Sequence, residues 1–82
     1  MWIIEKKVME IIYDKVADAL SIRLSREKIK ESDEIKAGII LDYGQKGDLI
    51  GIEVLNFSSR DINLNQLIQM NPDEIVPSIV NC

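Results

Sequence analysis

The stretch Gly38–Phe57, GIILDYGQKGDLIGIEVLNF, constrains this chain more than any other. Two apolar runs flank GQKG, a four-residue loop with glycine at each end, where a positive φ costs little. Successive strand side chains point to opposite faces. Ile39, Leu41 and Tyr43 therefore share one face of the first arm, and Ile50, Ile52 and Val54 share one face of the second. Ile40, Leu49 and Leu55 fall on the opposite faces, so both sides of this hairpin are expected to be partly covered. Gly51 would weaken an uncovered strand, which calls for close packing on its backbone by a helix or a second subunit.

The same alternation occurs upstream. Leu20, Ile22 and Leu24 point one way and Ser21, Arg23 and Ser25 the other, the pattern of a half-buried strand. Before it, VMEIIYD reads as a strand with Met9, Ile11 and Tyr13 on one face. Between the two, DKVAD is a short polar connection bracketed by Asp14 and Asp18, which suits a tight hairpin. REKIKESDEIK carries only Ile29 and Ile35 as apolar residues, too sparse for a helical stripe. It reads as a solvated edge strand or loop around a KESDE turn, and such charge discourages unwanted strand pairing.

After Phe57 the texture becomes helical. Leu64, Leu67 and Ile68 share a helical face with Asn63 as N-cap. Asn71, Pro72, Asp73 and Glu74 form a second helix start, and Pro77 is expected to shorten or bend that helix. The fold class is α+β: a small antiparallel β-meander of four or five strands, with one or two short C-terminal helices covering the sheet. Eighty-two residues fit one domain, expected over residues 9–82 (sheet 9–57, helical tail 58–82) after an N-terminal extension at 1–8.

Composition narrows the function classes. A net charge of −4, with no window that gathers Lys and Arg, argues against nucleic-acid binding. Apolar runs are far below the roughly 20 residues a membrane span needs, and a cytoplasmic location is expected. There is no histidine, and the one cysteine, Cys82, is expected to be an exposed bystander. That removes the commonest general base and any Cys-based zinc site, and no cofactor is implied.

Tyr13–Asp14, Ala17–Leu20, Ile22–Leu24, Glu31–Ser32, Gly38–Tyr43 and Gly51–Leu55 follow one another with the order and spacing of a known pattern. From about Glu10 to Arg60 the chain resembles the small prokaryotic proteins grouped as domain of unknown function 2283. Ser21 stands where that family often has an aromatic, and Ala37 where proline often precedes the glycine. The resemblance implies a small antiparallel sheet with helical covering and no established activity. Some members are encoded beside small toxin-like proteins, which implies a partner-binding, antitoxin-like role. Members also tend to begin just before the Tyr-Asp pair, which makes residues 1–8 an extension or an upstream start.

Tyr13, Asp14, Asp18, Arg23, Asp42 and Glu53 are the polar residues a sheet could bring together. One reading is a Mg²⁺ or Mn²⁺ site for hydrolysis, with Arg23 steadying an anion. The other has Asp14 and Asp18 capping the hairpin and Arg23 facing Asp42 or Glu53 across strands, with no catalytic role. GQKGD is followed by a strand rather than the helix a phosphate loop requires, so it reads as a turn. The favoured function is a non-enzymatic protein-interaction module; the alternative is a divalent-metal-dependent hydrolase using these carboxylates. A thin core without internal disulfide or metal also predicts association, with a homodimer through Ile40, Leu49, Gly51 and Leu55. Trp2, Ile3 and Ile4 would reach across to the second subunit.

Overall fold

The computed structural model describes residues 10–80. Strands β1 (Glu10–Asp14), β2 (Ala19–Arg23), β3 (Glu31–Lys36), β4 (Ile39–Tyr43) and β5 (Leu49–Leu55) precede a single 3₁₀ turn at Phe57–Ser59. Helices α1 (Leu64–Gln69) and α2 (Pro72–Val80) complete the chain. All strand pairs are antiparallel, in the order β1-β2-β5-β4-β3. The α+β class, the five-strand sheet and the two C-terminal helices are as expected from the sequence.

The order differs from a simple meander, because β5 lies between β2 and β4 at the centre of the sheet. Residues 24–30 carry the chain from β2 to the far edge, a Greek-key connection. Backbone bonds Leu24 N to Ile50 O (2.8 Å) and Lys30 N to Tyr43 O (2.8 Å) hold its two ends. The physical reason is burial. Leu20, Ile22, Ile39, Leu41, Ile52 and Val54 share one buried cluster, so their three strands occupy the middle. β3, exposed along its whole length, is left at the edge. The KESDE segment is therefore mostly strand; the turn falls at Ala37–Gly38, where Gly38 has φ 78°. A Cβ at Gly38 would also collide with the Arg60 guanidinium, which donates to Leu55 O (2.7 Å) and Ala37 O (2.7 Å).

The helices cover one face of the sheet. Leu67, Ile75 and Ile79 join the six strand residues in the core, and Leu64 packs against them. Ile68, expected on the same stripe, is exposed. Asn63 caps α1 as expected, its side chain accepting from Gln66 N at 3.3 Å. Pro77 does not end α2, which runs on to Val80. Ile75 and Ile79, four residues apart on one face, anchor the helix on both sides of it. The carbonyl that loses its partner belongs to Asp73, in an exposed first turn where water can replace the bond. At the other end Lys36 Nζ donates to Val80 O at 3.0 Å, a cation where the helix dipole is negative.

No helix among the described residues is long and apolar enough to cross a membrane. The N-terminal extension at 1–8, Met9, the Trp2-Ile3-Ile4 run and Cys82 lie outside the described residues.

Candidate functional site

Side-chain alternation places Leu20, Ile22, Ile52 and Val54 toward the helices and their neighbours in sequence toward the opposite, open face. Strand register then builds that face row by row. Glu10, Arg23, Gly51, Asp42 and Ser32 are cross-strand partners in one row. Ile12, Ser21, Glu53, Ile40 and Glu34 form the next. Asp14, Ala19 and Leu55 form a third.

Two of the predicted carboxylates shape the β1–β2 hairpin. Asp14 Oδ1 accepts from Val16 N (3.0 Å) and Ala17 N (3.1 Å), closing the turn on itself. Asp18 takes the left-handed conformation at φ 52°, tolerable for a short polar side chain. Its carboxylate accepts from Tyr13 OH (2.6 Å), Ser58 Oγ (2.6 Å) and Ser58 N (3.0 Å). Its carbonyl accepts from Phe57 N at 3.0 Å, and the Tyr13 and Phe57 rings lie 5.5 Å apart. The Ser58 and Tyr13 hydroxyls hold the Asp18 carboxyl below the usual range, and the bond to Asp18 raises the Tyr13 phenol. This is a latch between hairpin and 3₁₀ turn, with each group engaged by another.

The remaining predicted residues lie farther along the sheet. Arg23 donates to Ser25 O (2.8 Å) and Glu27 O (2.5 Å), so it holds the crossover rather than facing Asp42 or Glu53. Asp42 is only 7% exposed and accepts from Ser32 Oγ at 2.6 Å. Its Oδ2 lies 3.1 Å from where a Gly51 Cβ would stand. The close approach expected at Gly51 is therefore made by the Asp42 side chain, within the chain itself. Glu53 is half-buried between Ser21 and Ile40. Among the described residues no three His, Cys, Asp or Glu side chains converge as metal ligands. A metal-dependent hydrolase built on these carboxylates is not favoured.

Of the four residues expected at a dimer face, Ile40 and Leu55 lie on the open face. Leu49 packs against the core instead, because a bulge after Asp42 shifts the register to Tyr43↔Leu49. Gly51 is buried beneath Asp42.

A further carboxyl pair lies outside the residues that the sequence singles out. Glu27 Oε2 and Asp48 Oδ1 converge on Gly44, 3.2 and 3.1 Å from its Cβ direction. Hydrogen bonding to Asp48 raises the Glu27 carboxyl, while the same bond lowers Asp48. No local pattern announces the pair, since the crossover alone brings residue 27 to the β4–β5 turn. A shallow cavity of about 530 Å³ lies elsewhere, between the 60–63 segment and the helices, lined by Arg60, Asn63, Gln66 and Met70 among others. It contains none of the predicted residues.

No curated protein and no solved structure matches the chain. The model of the family described as protein of unknown function (DUF2283) matches residues 10–58, from the first strand through Ser58, to which Asp18 is latched. On that match, which spans more than half of its length, the chain belongs to the DUF2283 family.

Proposed function

We propose that this chain is a non-enzymatic protein-interaction module that binds a partner protein on the open face of its sheet. The observation that supports it is the asymmetry of the sheet. Two helices cover one face, whereas Ile12 (59% exposed), Leu55 (37%) and half-buried Ile40 lie on the other. Of the acid and base candidates, Asp14 and Asp18 hold turns, Arg23 holds the crossover and Asp42 bonds Ser32 across strands, which suits a binding scaffold better than a catalyst. An antitoxin-like pairing with a small toxin, in the cytoplasm, is the most concrete form of this reading. Association with a second copy is the weaker form, because of its expected contacts Leu49 packs against the core and Gly51 is covered by Asp42.

Affinity capture from native lysate tests it, with the chain compared against a variant carrying Ile12→Glu and Leu55→Glu. Light scattering of the purified chain accompanies the capture. The expected result is a co-purifying protein that the double variant loses while its circular dichroism spectrum is unchanged. Identical captured sets for both chains would refute the open face as the binding surface.

A further inference from the structure

The charges of the open face are one-sided. Its three rows carry Glu10, Asp14, Glu34, Asp42 and Glu53 against a single base, Arg23. Arg23 is already committed to the carbonyls of Ser25 and Glu27. The other strand base, Lys36, reaches to the helix side and bonds Val80 O. Lys15, Arg26, Lys28, Lys30 and Lys46 lie in turns and in the crossover, and Arg60, beyond the last strand, is bonded to the carbonyls of Leu55 and Ala37 at the margin of the face. Apolar contact area is thus available at Ile12, Ile40 and Leu55, inside a frame of carboxylates.

Resting on the protein-binding reading above, we propose that the open face takes a cationic amphipathic helix of a partner protein, apolar side toward Ile12, Ile40 and Leu55. Electrostatic complementarity selects the sign of that partner. A second copy laid face to face would set one carboxylate-rich surface against another, and like charges brought together across an interface oppose association. The other side of the sheet shows the packing in use, with α2 presenting Ile75 and Ile79 from successive turns. A helix on the open face would complete a third layer. The row from Ile12 to Ile40 crosses from β1 to β4, about 14 Å at the usual strand spacing, which a helix of about ten residues spans.

The test is calorimetric titration of the full chain with a synthetic amphipathic helix of leucine and lysine. A leucine–glutamate peptide of the same pattern serves as the counterpart. Two charge-reversed chains of equal net charge are compared. One carries Glu10→Lys and Glu53→Lys on the open face; the other carries Glu31→Lys and Asp33→Lys, whose partners Tyr43 and Leu41 face the helices. We expect the lysine peptide to bind, weakening with added salt, and the open-face pair to reduce affinity about tenfold, as two lost surface ion pairs would. The control pair should change it less than about twofold, a residual screened effect of net charge. Glu53→Gln alone, which keeps the side-chain volume, should give a smaller loss in the same direction. Equal losses in both pairs would reduce the effect to net charge and overturn the proposal, as would no binding or a preference for the glutamate peptide. If the lysine peptide fails while Ile12→Glu with Leu55→Glu still abolishes capture from lysate, the cationic helix is refuted and the protein-binding reading stands.

Discussion

The two faces of the sheet are built from the same strands and differ in nearly every other respect. Toward the helices stand Leu20, Ile22, Ile39, Leu41, Ile52 and Val54, all at most 6% exposed. Toward the open side, on alternate positions, stand Ser21, Arg23, Ile40, Asp42 and Glu53. One face removes aliphatic surface from water and supplies most of the stabilisation. The other contributes hydrogen bonds such as Ser32 to Asp42 and is left with charge and a few apolar side chains. Alternation assigns the aliphatic core and the exposed charge to different sides of the same backbone, so each can be altered without the other.

The contrast breaks most visibly from within the core. Ile52→Ala removes a side chain that is 1% exposed on the central strand, and should cost about 2–5 kcal/mol of stability, read as a lowered urea midpoint at unchanged slope. A chain so small has little reserve, so partial unfolding at room temperature is within the expected outcome.

Acid and base should act at opposite ends of the sheet. The Asp18 carboxyl is held low by Ser58 and Tyr13. Its contribution is therefore complete above the unfolded carboxylate range and is lost as pH falls through the lowered folded value. Glu27 is held high by Asp48. What it contributes is complete below its unfolded value and is lost as pH rises through the raised one. Thermal melts across the carboxylate range should show Asp18→Asn flattening the acid limb and Glu27→Gln flattening the opposite one. A single limb altered by both variants would contradict the separation.

The smallest effect belongs to the open face. Ile12→Ser alters a residue that is 59% exposed on an edge strand and should move stability by no more than about 0.5 kcal/mol. A loss comparable to that of Ile52→Ala would mean that the open face is packed and that the two sides are not independent. Hydrogen exchange of β1 amides checks the same point locally.

Residues whose role depends on near neighbours were legible in the sequence. Asp14 turned out to cap its own turn, and Asn63 its own helix, since both bonds span three residues or fewer. Asp18 was legible as a hairpin residue, but its tie to Ser58 joins positions 40 residues apart. Leu49 lies on the side opposite to the one its alternation predicts, because a single bulge reverses the alternation beyond it, and a bulge leaves little mark on composition. Arg23 was expected to face a carboxylate; two loop carbonyls satisfy it instead, a choice set by where the crossover runs.

The amino-acid sequence by itself determined the class of this protein: period-two apolar positions, glycine turns and late helix caps are local signals that physics reads the same way in any context. It also determined the inner face of the central strands, from Leu20 and Ile22 to Ile52 and Val54. Only the tertiary structure decided that β5 sits at the centre, that Asp42 fills the space above Gly51, and that Glu27 meets Asp48. Each of these depends on which distant segment lies alongside which. That is settled by the collective burial of Leu67, Ile75 and Ile79 with six strand residues, a property of no single window of the chain.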